Sequence, residues 1–299
     1  MRRSVATALF TASSSEGLEI VTARIVYQGE AGAYSHLACR EHFPEMEPWA
    51  CQSFAEAFAR VRSGEADLAM IPVENTVAGR VSDIYHLLPE GGLSIIAERY
   101  QPIHHQLLAL PGIGLDAITT ARSHPMALGQ VRNRLAVLGI AAVADVDTAA
   151  AARKVAERGD RHVAAVASRV AAEVYGLEII ASDIEDSGSN TTRFIVLSRT
   201  PRIPAQDSGP VVSSFVFRTR SVPSALYKAL GGFASNGLNL TKLESYMIGG
   251  GFTAAQFYVD VEGHPESDAM RHALEELDFF TEDVRHLGTY PADPVRTTS

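Results

Sequence analysis

From Ile25 onward, short apolar runs alternate with amphipathic stretches, a rhythm that predicts an α/β layer structure. IVYQG (25–29) predicts a first strand ended by glycine, and GAYSHLACREHF after it has helical spacing. SFAEAFARVRSG (53–64) predicts a capped helix. Ser53 and Glu56 make the capping box, Phe54, Phe58 and Val61 the apolar stripe, and Gly64 the stop. DLAMIPV (67–73) follows as a buried strand. The middle of the chain predicts strands at 93–98 and 105–110 and a helix from Pro125 to Leu138 closed by Gly139. Next come the strand AAVADV, a helix capped by Thr148 or Asp147 and stopped at Gly159, the strand HVAAVA, a helix in SRVAAEVYG and a strand in LEIIASD. SGSNTTRFIVLSR then reads as a polar loop running into a strand at Phe194.

TPRIPAQDSGP (200–210), with three prolines and no apolar period, predicts a linker. The rhythm changes beyond it: strand VVSSFVFRT, helix ALYKALGGFASNG, strand LNLTKLESYMI, a GGG hairpin turn at 249–251, strand FTAAQFYVDVEG, helix ESDAMRHALEELDFF and a last strand near VRHLGTY. That β-α-β-β-α-β order is the ferredoxin-like arrangement.

Composition narrows the classes. The net charge of −9 disfavours nonspecific nucleic-acid binding and attraction to an acidic membrane surface, while leaving room for a small anion held by local groups. Cys39 and Cys51 are too few for a disulfide framework and lack the paired spacing of a zinc site, so the reading is a reducing, cytoplasmic compartment with no metal. The longest apolar runs, such as Ile103 to Leu115, carry His, Gln or Pro and fall short of the ~20 residues a bilayer span needs. MRRSVATALFTASSSEG at the start is read as a disordered extension or misplaced start, with a weak export leader as the alternative.

Several stretches carry candidate chemistry. Gly29 and Gly32 set backbone N–H groups at a helix start, where an anion is favoured, although tight-turn packing explains them equally. Tyr34 and Ser35 add hydroxyls there, if they do not simply face solvent. PVENTVAGR puts Glu74, Asn75 and Thr76 just past a buried strand, either at a ligand rim or as caps of the next turn. In SHPMALGQ, Pro125 suits a first helical position, so Ser123 or His124 is the N-cap. Gln130 would then project on the same face as Ser123, about 10 Å along the axis. In SNTTRF, Arg193 is the local counter-charge for an anion, unless it makes an ordinary surface ion pair. The chain has no GxSxG elbow, P-loop, HExxH or Cys/His cluster, which argues against hydrolase, kinase and metalloenzyme classes.

YQGEAGAYSH, PVENTVAG, SHPMALGQ and SNTTRF, in this order and followed by the ferredoxin-like tail, resemble the prephenate dehydratases over about residues 25–290. The resemblance implies a two-lobed periplasmic-binding-protein-like (type II) catalytic domain with its site between the lobes, and a C-terminal ACT domain that senses phenylalanine. The organisation expected is an extension at 1–24, a catalytic domain at 25–199 (lobes roughly 25–102 plus 182–199, and 103–181), the linker at 200–210, the ACT domain at 211–290 and a tail at 291–299. The implied reaction is loss of carbon dioxide and the ring hydroxyl from prephenate to give phenylpyruvate. Aromatisation drives it, so no cofactor is implied. Arogenate dehydratase and a non-catalytic amino-acid sensor are the alternatives.

Carried over by position, Thr192 would hydrogen-bond to or protonate the departing hydroxyl, with Asn75, Ser123 and Gln130 orienting the substrate. Arg193, Thr191, Asn190, Ser35, Tyr34 and Asp147 are the expected substrate-binding residues. Two points stand against that set: Arg193 would face away from Thr192 if the strand alternates, and Asp147 replaces a glutamate expected in relatives. Ser224, Ala225, Leu226, Asn236, Leu240, Glu244 and Ser245 are the expected phenylalanine contacts. Here SALY and ESYM stand where relatives carry GALV-like and ESRP sequences. A homodimer or homotetramer is implied, with prephenate and L-phenylalanine as small-molecule partners.

Overall fold

A computed structural model of the chain describes residues 22–248 and 255–297. The glycine turn at 249–251, most of the N-terminal extension and the last two residues lie outside them. The first lobe begins with β1 (Arg24–Gln28), α1 (Tyr34–His42), β2 (Glu47–Cys51), α2 (Phe54–Ser63) and β3 (Leu68–Asn75). The short β4 (Gly79–Arg80) and α3 (Ile84–Leu87) lead into β5 (Ser94–Pro102). α2 forms as its sequence predicts: the Ser53 hydroxyl accepts from the Glu56 N–H at 3.1 Å, the Glu56 carboxylate accepts from the Gln52 N–H at 2.7 Å, and Gly64 closes the helix in the left-handed region.

The second lobe holds β6 (Gln106–Ala109), β7 (Thr120–Ser123), α4 (Pro125–Gln130), α5 (Arg132–Leu138), β8 (Ala141–Ala144), α6 (Thr148–Arg158), β9 (Val163–Ala167), α7 (Arg169–Tyr175) and β10 (Glu178–Ala181). The chain then returns to the first lobe as β11 (Thr191–Ser198), inserted antiparallel between β3 and β5. The sheets run β2-β1-β3-β11-β5 and β10-β6-β9-β7-β8, joined by two crossovers, 103–105 and 182–190. This is the expected two-lobed, periplasmic-binding-protein-like arrangement. One element departs from its sequence reading. The helix expected from Pro125 to Leu138 breaks at Val131, because the Asp186 carboxylate accepts from the Asn133 and Arg134 N–H groups and so caps a new helix there.

The C-terminal unit contains β12 (Val211–Thr219), α8 (Ala225–Ser235), β13 (Leu240–Met247), β14 (Ala255–Glu262), α9 (Asp268–Phe280) and β15 (Thr281–Pro291). Its sheet order β13-β14-β12-β15, wholly antiparallel, is the ferredoxin-like one. Phe215, Phe217, Phe233, Val259 and Leu277 form a core between one sheet face and the two helices. The other face does not meet water. Val212, Val216, Tyr258, Leu287 and Tyr290 join Ile71, Val73, Tyr85, Ile95 and Ile195 in one continuous core with the first lobe. β15 crosses β5 so closely that a Cβ on Gly288 would fall 2.0 Å from the Ile95 carbonyl oxygen.

The lobes also meet along a seam beside the crossovers. Ser168 Oγ donates to the Gly32 carbonyl at 2.6 Å and Tyr175 Oη to the Ala31 carbonyl at 2.7 Å, flanked by the ion pairs Arg153–Glu30, Arg40–Glu173 and Arg169–Glu41. Gly32 has φ +91°, and a Cβ there would lie 2.9 Å from Ala171 Cα. Gly32→Val is therefore expected to cost about 1–3 kcal/mol of stability by wedging the seam open, measured by denaturant unfolding.

Candidate active site

Between the lobes lies a cavity of about 370 Å³. The turn after β3 sets its chemistry. Asn75 Oδ1 accepts from the N–H groups of Val77 and Ala78 at 2.9 and 2.8 Å, which fixes the orientation of the amide. Its Nδ2 therefore faces the cleft, donating to Asn190 Oδ1 at 2.7 Å and to Thr192 Oγ1 at 2.9 Å. Register explains the meeting: Asn75 and Thr192 are directly paired across β3 and β11. Asn190 Nδ2 in turn donates to Gln130 Oε1 at 2.8 Å, carrying the chain of hydrogen bonds to the second lobe. Thr192 Oγ1 accepts from Asn75, and its own proton remains available for a ligand.

The walls carry little positive charge. The lining has the apolar Pro72, Val81, Ile103, Met126 and Phe194, two acids, Glu30 and Asp147, and no Lys or Arg among the described residues. The remaining donors come from helix starts. α1 has no side-chain cap, so its first N–H groups stay open beside Ser35 at the cleft wall. Asp147 caps α6 by accepting from the Ala150 N–H at 2.7 Å.

Thr192, Asn75, Gln130, Asn190, Ser35, Tyr34 and Asp147 all line this cavity. Three expected residues do not. Ser123 ends β7 instead of facing the helix side with Gln130: it is fully buried and donates to the Val166 carbonyl at 2.6 Å, while His124 takes the N-cap place. Thr191 faces away from the cleft, its N–H bonded to Thr76 Oγ1. Arg193 is a correction of a different kind. Strand alternation turns it to the opposite face of β11, where it is 2% exposed and binds Glu98 (2.8 Å), Asp260 (2.6 Å), Glu74 (3.1 Å) and Tyr290 Oη (3.1 Å). It is no free counter-charge for a substrate; it ties the strand of Thr192 to β14 and β15. Burial alone would raise the Asp260 carboxyl, but Arg193 and the Ser214 and Tyr258 hydroxyls outweigh it and hold that group below the usual carboxylate range.

His105 was missed. It sits on the first crossover with its ring between Tyr34 Oη (2.6 Å) and Gln130 Oε1 (2.6 Å). The signal was a pair of histidines interrupting an otherwise apolar run, which suggests a polar site at a strand start.

In the C-terminal unit, Ser224 stands at the N-cap position of α8 with φ +61° and no side-chain capping bond, and Ala225 and Leu226 begin its first turn. Asn236 closes its far end, about 18 Å away. Leu240 opens β13, an edge strand. The Glu244 carboxylate turns to the first lobe, paired with Arg80 at 2.9 Å and Lys242 at 3.3 Å, and the Ser245 carbonyl also accepts from Arg80. Both cysteines are buried and free. Among the described residues no helix is long and apolar enough to cross a membrane.

Comparison with known proteins places this geometry. A family model described as prephenate dehydratase matches residues 25–202. A bifunctional N-acyl-homoserine lactone acylase/prephenate dehydratase of Komagataeibacter europaeus is 48% identical, the match covering 91% of this chain and 97% of the relative. An arogenate dehydratase/prephenate dehydratase of Arabidopsis thaliana is 39% identical over 91% of this chain and 73% of its own. The crystal structure of the Arthrobacter aurescens prephenate dehydratase in complex with L-Phe superposes with a TM-score of 0.82 at 30% identity, over 90% of each chain.

Proposed function

This chain belongs to the prephenate dehydratase family, a family of lyases, and we propose that its interlobe cleft converts prephenate to phenylpyruvate with Thr192 as the donor to the departing hydroxyl. The carrying observation is the oriented bond from Asn75 Nδ2 to Thr192 Oγ1, which leaves the threonine proton for the ligand. In the reaction the bond from the ring to its carboxylate breaks, its electron pair enters the ring, and the C–O bond opposite breaks as the hydroxyl takes up a proton and leaves as water. A threonine hydroxyl is too weak an acid to give that proton outright. It stabilises the developing hydroxide by a hydrogen bond, with the net proton coming from solvent. A wall without cations leaves the departing carboxylate's charge poorly stabilised before reaction, so the gain comes as the charge moves into the ring. The open first turn of α1 with Ser35 is suited to the pyruvyl carboxylate, which stays ionised throughout.

Arogenate, with an ammonium in place of the keto group, is the second reading, favoured by Asp147 at the wall, since Glu30 is already paired with Arg153, and by the Arabidopsis relative's name. Purified enzyme given each substrate separately decides between them: faster appearance of phenylpyruvate than of phenylalanine supports prephenate, and no product from either overturns both. A parallel incubation with an N-acyl-homoserine lactone tests whether the second activity in the Komagataeibacter relative's name extends to this chain.

The C-terminal unit is read as a phenylalanine-sensing ACT domain in a cytoplasmic homodimer or homotetramer. Ser224 and Asn236 lie too far apart for one phenylalanine to touch both within a chain. A site shared between two copies resolves this, and the exposed Val222, Tyr227, Leu243 and Met247 offer apolar surface for it. L-phenylalanine added to the prephenate assay is expected to lower turnover.

A further inference from the structure

We propose that His105 is a positioning residue for the dehydration, acting as the neutral tautomer with its proton on Nε2 to hold Gln130, and through it Asn190, Asn75 and Thr192, in one fixed orientation. The polarity follows link by link. The backbone N–H groups of Val77 and Ala78 oblige Asn75 to present its amino group to Asn190 Oδ1. Asn190 therefore presents its own amino group to Gln130, whose oxygen accepts it. The same oxygen lies 2.6 Å from His105 Nε2, so that nitrogen must carry a proton. With the ring neutral, Nδ1 is left as an acceptor, and Tyr34 Oη, 2.6 Å away, donates to it in preference to the more distant His104 carbonyl at 3.2 Å.

The path runs from the first lobe through both crossovers and the second lobe and back again, so it forms a polar strip across the cavity. His105 is its least replaceable link, because imidazole donates on one side and accepts on the other. His105 is 2% exposed, its backbone N–H is held by Glu185 Oε2 at 2.9 Å, and Tyr34 packs edge-on against its ring. The groups facing the ring are the Tyr34 hydroxyl, the Gln130 amide, the Glu185 carboxylate and the neighbouring His104. Burial keeps the imidazole neutral, lowering its pKa by more than Gln130 and Glu185 raise it.

The kinetic part rests on the dehydratase reading; the tautomer part does not. Ring nitrogen-15 NMR of the full, histidine-labelled chain, assigned with His105→Gln, is expected to show a neutral ring protonated on Nε2 from pH 8 to below 6.5, the ordinary histidine value. A proton on Nδ1, or ordinary titration, overturns the proposal. In kinetics with whichever substrate is turned over, His105→Phe is expected to lower kcat about 100-fold with KM changed less than about threefold. His105→Gln, whose amide nitrogen can stand where Nε2 stood, should recover at least about tenfold of that loss. Equal losses in both variants, or a loss confined to KM, overturn it. Tyr34→Phe, which leaves Nδ1 without a donor, should shift the His105 ring signals while the proton stays on Nε2; signals that do not move overturn the proposal, which keeps it testable even if His105→Phe fails to fold. Absence of turnover in the wild type with either substrate would instead sink the dehydratase reading, leaving the tautomer to be decided by NMR.

Discussion

Replacing Arg193 with methionine is expected to cost about 3–5 kcal/mol of stability, seen as a lower midpoint in urea unfolding. The guanidinium answers two fully buried carboxylates, Glu98 and Asp260, and a partly buried one, Glu74. Methionine fills similar volume but leaves Asp260 charged among Val212, Val216 and Tyr258. Arg296 still reaches Glu98 at 2.6 Å and lies 3.8 Å from Asp260, which places the loss toward the lower end of that range. The pH dependence distinguishes this loss from poor packing. In the wild type the Asp260 pKa is depressed, so its contribution to stability is present at neutral pH and is lost as pH falls through the folded-state value. Without Arg193, burial dominates and raises it, so the folded variant takes up the proton more readily than the unfolded chain. The variant's deficit should therefore shrink as pH is lowered from 7 toward about 5. A deficit that does not change with pH would rule out the uncompensated charge as its cause.

Thr192→Ala is expected to lower kcat by about 10²–10⁴-fold while changing KM less than about threefold. The asymmetry follows from where the hydroxyl acts: it meets little charge in the ground state and a developing hydroxide in the transition state. Alanine also leaves one Asn75 amide proton without its acceptor, which loosens the link to Gln130. Thr192→Ser keeps the hydroxyl and should retain most of the rate. A loss shared by the serine variant, or one borne mainly by KM, would assign Thr192 to orienting the substrate instead.

What could be read before folding follows the range over which each feature is determined. α2 was visible because its cap, stripe and stop lie within a dozen residues, and the β-α-β-β-α-β order of the C-terminal unit because each segment carries its own period. β2 (EPWAC) was missed: five residues without alternation give no local signal. The break at Val131 was invisible because Asp186, which causes it, lies on the other crossover. Of the candidate site, Asn75 and Thr192 were legible as polar residues at strand ends and Gln130 as one two turns along a helix, while their roles came only through the family resemblance. Ser123 was misplaced because helical spacing was extended back into a strand. Arg193 was misjudged because its partners come from β3, β5, β14 and β15, and no spacing within one segment announces them.

The core shared by the first lobe and the C-terminal sheet bears on whether the C-terminal unit can be exchanged. A cut in the proline-rich 200–210 stretch looks like a natural place to remove it or graft on another. Made there, the cut would strip Val212, Val216, Tyr258, Leu287 and Tyr290 from Val73, Tyr85 and Ile95, expose the Ile95 backbone that Gly288 covers, and take Asp260 from Arg193. A transplant between relatives must therefore carry the matching faces of β5 and β11 with it. The unit that sequence marks as a module is, mechanically, the third layer of the lobe that holds Thr192.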